Sequence, residues 1–123
     1  MNRTKTFVII GGGAAGFFAV VTSAENNPDL DILILEQGNE VLGKVKISGG
    51  GRCNVTHACF DVRELSRFYP RGSKELTGPF YRFNCEHTIQ WFESRGVSLK
   101  TEEDGRIFPI TDNSQTIVDC LLE

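Results

Sequence analysis

The 123-residue sequence has no long hydrophobic run and no excess of basic residues. Its apolar stretches fall short of the roughly 18 residues of a membrane span, and the Phe7–Ile10 run is too short for the hydrophobic region of a signal peptide. The formal net charge of −3 lacks the Lys and Arg excess of general nucleic-acid or membrane-surface binders. We therefore expect a cytoplasmic globular protein without a membrane partner, and nucleic acid as a partner only through a local basic site.

Paired-cysteine spacings are also missing. The four cysteines, Cys53, Cys59, Cys85 and Cys120, form no C-x-x-C pair and no His/Cys pattern of a zinc site. Free thiols and the absence of a metal site are the expectation.

A glycine-rich turn follows the first apolar strand. Phe7–Ile10 runs directly into Gly-Gly-Gly-Ala-Ala-Gly, which reads as G-x-G-x-x-G at a strand-to-helix junction. In this pattern Gly11 permits a tight turn, Gly13 leaves room for a pyrophosphate, and Gly16 lets the helix pack closely on the strand. The spacing predicts a phosphate-binding turn.

The residues after the turn complete a βαβ unit. A helix beginning near Ala14 directs the backbone N–H groups of Ala14 and Ala15 and its positive dipole end at the phosphate position. The Asn26–Asp29 segment stops the helix, and a second apolar strand, Ile32–Leu35, leads to Glu36. Glu36 stands about 20 positions after the last glycine, where this unit carries the acid that binds a ribose diol. Its charge favours NAD or FAD over NADP. The alternative is an ordinary βαβ start without a ligand.

A second glycine cluster, Ser48–Asn54, reads Ser-Gly-Gly-Gly-Arg-Cys-Asn. Accessible backbone beside three polar side chains can lie against a flat or charged ligand. The alternative is a flexible linker, although Arg-Cys-Asn directly after the glycines is unusual for one.

The remaining pattern predicts short elements in sequence. Glu40–Ile47 is mixed, and Lys74–Phe83 should form two helical pieces interrupted by Gly78-Pro79. Three further helices are predicted: Asp61 to Phe68, Cys85 to Arg95 with Asn84 as its cap and Gly96 as its stop, and 114–123 with Asn113 or Ser114 as its cap. Residues 97–101 and 106–110 should form a hairpin.

The fold class predicted from these elements is α/β with a Rossmann-type core. Two parallel strands do not complete a doubly wound sheet, which needs about five or six. We therefore expect residues 1–123 to be the N-terminal part of a longer protein.

Three segments carry a family resemblance. Gly11–Gly16, Ser48–Thr56 and Gly105–Pro109 closely resemble bacterial NAD(P)/FAD-dependent oxidoreductases of the BaiN and aminoacetone-oxidase type. The resemblance implies a two-dinucleotide flavoprotein fold that binds FAD, with NAD(P)H as a candidate electron donor and a small-molecule substrate of unknown identity. It also implies that residues 1–123 are the N-terminal part of an FAD-binding domain, and that the substrate domain and a C-terminal FAD segment are absent from this chain. The rest of the polypeptide would then be required, and this chain alone would be inactive.

The resemblance also implies a set of cofactor-binding residues, while the catalytic residues stay unknown. The pyrophosphate, the adenosine half and the flavin side of FAD would be contacted by Gly11, Gly13, Ala14, Ala15, Gly16, Glu36, Gln37, Gly43, Lys44, Ser48, Gly50, Gly51, Arg52 and Asn54.

Three further points stay open in the sequence. Cys53 is either a redox thiol or a packed one, Arg52 either a cofactor-binding cation or part of a salt bridge, and Arg106 either a brace for the cofactor or a partner of Glu102 or Glu103. For the function as a whole, the alternative to a flavoprotein oxidoreductase is a non-catalytic module that binds NAD or ADP, or an inactive fragment.

Overall fold

A βαβ unit opens the structure, a computed structural model that describes residues 5–123. Strand β1 (Thr6–Ile10), helix α1 (Ala14–Asn26) and strand β2 (Asp31–Leu35) follow one another, and β1 pairs with β2 in parallel. The pairing aligns Thr6 with Asp31 and Ile10 with Leu35. The prediction of an α/β fold with a Rossmann-type start is confirmed.

The rest of the chain forms five helices and an antiparallel sheet within the described residues. The sheet has the order β3-β5-β4, so β5 is its central strand. No helix in residues 5–123 is both long enough and apolar enough to cross a membrane. The elements are α2 (Gly43–Gly51), β3 (Thr56–His57), α3 (Val62–Arg67), α4 (Ser73–Arg82), α5 (Cys85–Glu93), β4 (Leu99–Thr101), β5 (Arg106–Pro109) and α6 (Gln115–Leu122).

Three predicted helix ends are confirmed, and each is defined by a nearby residue. The Asp61 side chain accepts a hydrogen bond from the N–H of Glu64 at 2.9 Å. Asn84 caps α5 and forms a reciprocal pair with the ring of His87. Gly96 follows α5 with a φ of +82°, the left-handed conformation expected after a helix.

Two segments differ from the prediction. Helix α4 continues through Gly78 and Pro79, both of which are exposed. Proline has no N–H to donate to the carbonyl of Glu75, four residues earlier, but Glu75 is exposed, so water can satisfy that carbonyl instead. The expected mixed segment Glu40–Ile47 instead contains the start of α2, which packs against α6 through contacts that local sequence does not contain.

The hydrophobic core lies between α2, α5, α6 and the segment around β4. Leu42 enters this core just before α2 and is 1% exposed, although its φ of +57° is unusual for a residue with a branched side chain. Its backbone N–H also donates to the carbonyl of Gly12 at 2.8 Å. The buried members are Leu42, Val45, Cys53, Phe92, Val97, Ile117, Val118 and Leu121.

The parallel strand pair is far less buried than this core. Val8, Leu33 and Leu35 are each about half exposed, and Ile10 is 86% exposed. Parallel sheets are normally covered on both faces. The glycine-rich turn between β1 and α1 therefore belongs to the less buried side of the molecule.

Candidate functional site

The first glycine-rich turn has the geometry that its sequence predicts. Gly11 has a φ of +103°, and its N–H donates to the carbonyl of Leu35 at 2.7 Å. A Cβ on Gly16 would lie 2.0 Å from the Gly11 carbonyl oxygen, a distance that no side chain can occupy. The predicted roles of Gly11 in turning and of Gly16 in close packing are confirmed.

The start of α1 is open to a ligand. Gly13, Ala14 and Ala15 are exposed, and a Cβ on Gly13 would meet nothing within 4 Å. Gly13 precedes the helix with extended backbone and no side chain caps α1, and the first N–H groups of a helix have no partner within it. Open space at a helix N-terminus suits a diphosphate. Contact of Gly13, Ala14 and Ala15 with a cofactor stays a prediction.

Glu36 fastens the same turn. Its carboxylate accepts hydrogen bonds from the N–H groups of Gly12 and Gly38, each at 2.7 Å. These bonds lower the pKa of Glu36 from its ordinary value of 4.5, and the bond from Gly38 has the larger effect. A carboxylate has about four acceptor positions, so it can still accept from ribose hydroxyls. Gln37 lies exposed beside it.

Neutralising Glu36 should make the stability of the protein depend less on pH in the acidic range. Because the folded-state pKa is lowered, the stabilisation is present above about pH 4.5 and is lost as the pH falls through the lower folded-state value. We expect the urea midpoint of the parent to drop more steeply below about pH 4.5 than that of Glu36→Gln. Glu103→Gln, which removes the same charge from an exposed turn, controls for charge alone. Equal slopes in the parent and Glu36→Gln would contradict the assignment.

The second glycine cluster forms a sharp bend at the end of α2. Ser48 leaves helical geometry with a ψ of 151°, and Gly49, Gly50 and Gly51 follow with φ values of +56°, +67° and +85°. Such a left-handed run favours glycine. A Cβ on Gly49 would lie 2.7 Å from both the Asn54 nitrogen and the Phe108 ring. This tightly packed bend excludes the flexible-linker alternative.

A cavity of about 540 Å³ lies between the two motifs. Ala14 and Ala15 line it from the first motif, Ser48 and Asn54 from the second, and Lys44 from the first turn of α2. Helix α1, helix α2 and the loop after α2 thus bring five predicted residues together around one space. The other predicted residues lie outside this lining in the described part of the chain; they are Gly11, Gly13, Gly16, Glu36, Gln37, Gly43, Gly50, Gly51 and Arg52.

Aromatic side chains form much of the cavity wall. Phe18 lies 5.2 Å from Phe83 and 5.2 Å from Trp91 between ring centroids, and all three line the cavity. None of the three was among the residues predicted for the site. One signal was available, because Phe18 follows Ala14 by one helical turn and so shares its face of α1.

Arg52 is held by two carboxylates. Its Nη1 donates to Glu102 at 2.9 Å and to Asp112 at 3.3 Å, and its guanidinium lies 3.9 Å from the centroid of the Phe108 ring. The bond to Glu102 raises the pKa of Arg52 above its ordinary value. Lys100 also donates to Asp112 at 2.6 Å. The salt-bridge alternative for Arg52 therefore describes this structure, and its contact with a cofactor stays a prediction.

The surroundings of Cys53 and Arg106 also decide between the alternatives for these two residues. Cys53 is buried, and burial raises the pKa of its thiol, which disfavours the reactive thiolate. Arg106 donates from Nε to Asp104 at 2.7 Å, so its partner is neither Glu102 nor Glu103. All four cysteines are free.

A family of known proteins matches this chain. The family model described as "HI0933-like protein Rossmann domain" matches residues 5–123. The 3-dehydro-bile acid delta(4,6)-reductase of Clostridium scindens is 31% identical over 121 residues, which cover 98% of this chain and 28% of the relative.

Two other relatives share a name. The ribosomal RNA dihydrouridine synthase of Escherichia coli is 28% identical over 116 residues, covering 94% of this chain and 28% of the relative. That of Haemophilus influenzae is 24% identical over 121 residues, covering 98% and 29%. The chain thus spans less than a third of the length of the curated relatives it matches.

Proposed function

The chain belongs to the HI0933-like Rossmann-domain family, and on that basis we propose that it holds FAD in a flavin-dependent oxidoreductase. The observation that carries the proposal is the shared cavity, which joins the start of α1 to Lys44, Ser48 and Asn54. A site for ADP alone would need only the first glycine turn and Glu36. The second motif beside it suits a longer ligand.

The first motif fits the diphosphate and adenosine part of FAD. Gly13 leaves an open position at the tip of α1, and Ala14 and Ala15 offer exposed backbone there. Glu36, fixed by Gly12 and Gly38, would accept from the ribose hydroxyls, with Gln37 beside it. Gly11 and Gly16 would act indirectly, since they shape the turn.

The second motif would contact the part of FAD beyond the diphosphate. Lys44 and Ser48 line the cavity from α2, and Asn54 lines it from the loop after the bend. Gly43 begins α2, and a Cβ there would meet nothing within 4 Å, as is also true of Gly50 and Gly51. Arg52 would orient this loop through its carboxylate partners.

When bound, FAD supplies transfer of hydride or electron pairs, and NAD(P)H is the proposed electron donor. The residues of this chain would bind and orient the cofactor and exclude water along the apolar cavity wall. That one relative is named a reductase supports an oxidoreductase as the longer protein. The relatives' names point to different substrates, so the proposal concerns the cofactor.

For domain organisation, we propose that residues 1–123 form the N-terminal part of an FAD-binding domain. The exposed strand pair β1–β2 supports this division, because parallel strands are usually covered on both faces. A substrate domain and a further FAD-binding segment would lie in the remainder of a longer polypeptide. This chain by itself would bind without turnover, and a cytoplasmic location remains part of the proposal.

A second candidate is a non-catalytic module that binds ADP or NAD. The observation in its favour is the pairing of Arg52 with Glu102 and Asp112, which neutralises the one guanidinium of the second motif. In that case the Ser48–Asn54 bend would be structural, and affinity would come from the first motif alone.

A titration of the purified chain with FAD, ADP and NAD separates the two candidates. We expect FAD to bind at least about tenfold more tightly than ADP, a difference of about 1.4 kcal/mol, because ADP ends at the diphosphate and does not reach the second motif. Quenching of flavin fluorescence and calorimetry give the constants. Equal affinities for FAD, ADP and NAD would favour the non-catalytic module, and no binding of any of the three would overturn both.

A further inference from the structure

Ser114 stands at the start of α6 but does not cap it. Its φ of −60° and ψ of −23° are already helical, and its hydroxyl makes no bond to α6. The cap bond at this helix is made by Asn113, whose side chain accepts from the N–H of Gln115 at 2.9 Å. Ser114 is nevertheless 7% exposed, so its buried hydroxyl must be satisfied elsewhere.

The hydroxyl of Ser114 reaches the bend of α2. It donates to the carbonyl of Lys46 at 2.8 Å, while the backbone N–H of Ser114 donates to the carbonyl of Gly51, also at 2.8 Å. One residue therefore holds both sides of the bend, before and after Gly49 and Gly50. Its sequence separation from Lys46 is 68 residues, so the contact is wholly tertiary.

The hydroxyl bond of Ser114 satisfies a carbonyl near the point where α2 loses regular helical geometry. Regular helical geometry ends at Ser48, and carbonyl groups near a helix end take partners from side chains. The carbonyl of Val45 accepts from the Ser48 hydroxyl at 2.8 Å, and that of Lys46 accepts from Ser114. The first partner is local and the second comes from α6.

We propose that Ser114 is a positioning residue that fixes the left-handed Gly49–Gly51 bend against the cofactor. Where it concerns FAD, this inference rests on the proposed function. Ser114 does not line the cavity in the described chain, so it acts through the loop between Lys46 and Gly51. A ligand that binds the Ser48–Asn54 segment meets a preformed surface because Ser114 has already set its shape.

The test compares Ser114→Ala with Ser66→Ala. Ser66 is a matched control, since it is 6% exposed and its hydroxyl donates to the carbonyl of Arg63, again at 2.8 Å, but within α3. We expect both variants to lower the melting temperature by similar amounts. Only Ser114→Ala should speed amide exchange in residues 46–52 of the unliganded chain, by about fivefold, the loss of one hydrogen bond.

Affinity for FAD is the second readout. Ser114→Ala should weaken binding by about fivefold and Ser66→Ala by less than about twofold. If Ser114→Ala does not fold, Ser114→Thr, which keeps the hydroxyl, should retain slow exchange, and Ser114→Cys, whose thiol is a weak donor, should not.

The exchange measurement needs no ligand, so it tests the inference even if the parent chain binds no FAD and the proposed function fails. Equal exchange in residues 46–52 for Ser114→Ala and Ser66→Ala would overturn the inference. Equal affinities with a parent that binds FAD would do the same and leave the proposed function intact.

Discussion

Replacing Gly16 with alanine is expected to abolish the folded βαβ unit. The added methyl carbon would lie 2.0 Å from the carbonyl oxygen of Gly11, and that oxygen is backbone, so no side-chain rotation relieves the overlap. Separating helix α1 from strand β1 would cost about 3 kcal/mol or more. Denaturant unfolding monitored by circular dichroism should show this loss, and flavin or ADP binding should disappear with it.

Gly13→Ala is the matched control, with the same substitution three residues earlier. A Cβ at Gly13 meets nothing within 4 Å and the φ of −93° suits alanine, so stability should stay within about 1 kcal/mol of the parent. The methyl group would stand at the proposed diphosphate position, and FAD affinity should fall at least about tenfold. A stable Gly16→Ala protein would contradict the packing role, and unchanged affinity in Gly13→Ala would contradict the phosphate site.

The second large effect is expected for Phe108→Ala. Phe108 lies in the central strand of the antiparallel sheet and is 0% exposed. Its ring contacts the backbone of Gly49 so closely that no Cβ fits there, and it lies under the guanidinium of Arg52. Removing it leaves a cavity and releases both groups, so we expect a loss of about 3–5 kcal/mol in the free energy of unfolding.

Phe68→Ala provides the comparison for Phe108→Ala. Phe68 is 66% exposed directly after α3, and its ring centroid lies 5.6 Å from that of His57. Its replacement should change stability by no more than about 0.5 kcal/mol. Urea midpoints of both variants measure the difference, and similar losses would show that Phe108 does not support the bend as described.

Signals within one or two turns of the chain were sufficient for much of the fold. The G-x-G-x-x-G spacing gave the turn at Gly11 and Gly16, and Asp61, Asn84 and Gly96 marked helix ends. Each of these depends on backbone conformation or a bond to a neighbouring residue. Local chemistry is visible in the sequence itself.

Elements that depend on distant partners were not predictable in the same way. Helix α2 and strand β3 are stabilised by α6 and β5, and the sequence does not state those pairings. The site divides similarly. Ala14 and Ser48 could be assigned from their motifs, but the carboxylates that hold Arg52 lie 50 and 60 residues away from it.

Leu42 connects the first glycine-rich turn directly to the hydrophobic core. Its side chain is embedded among core residues while its N–H bonds the carbonyl of Gly12, so the turn cannot shift without disturbing that packing. A cofactor that immobilises Gly12 would thereby also restrain Leu42 and its neighbours. Binding of a cofactor at the turn would therefore stabilise the whole folded unit. At saturation, the free energy of global unfolding would rise, and not only that of local opening at the turn.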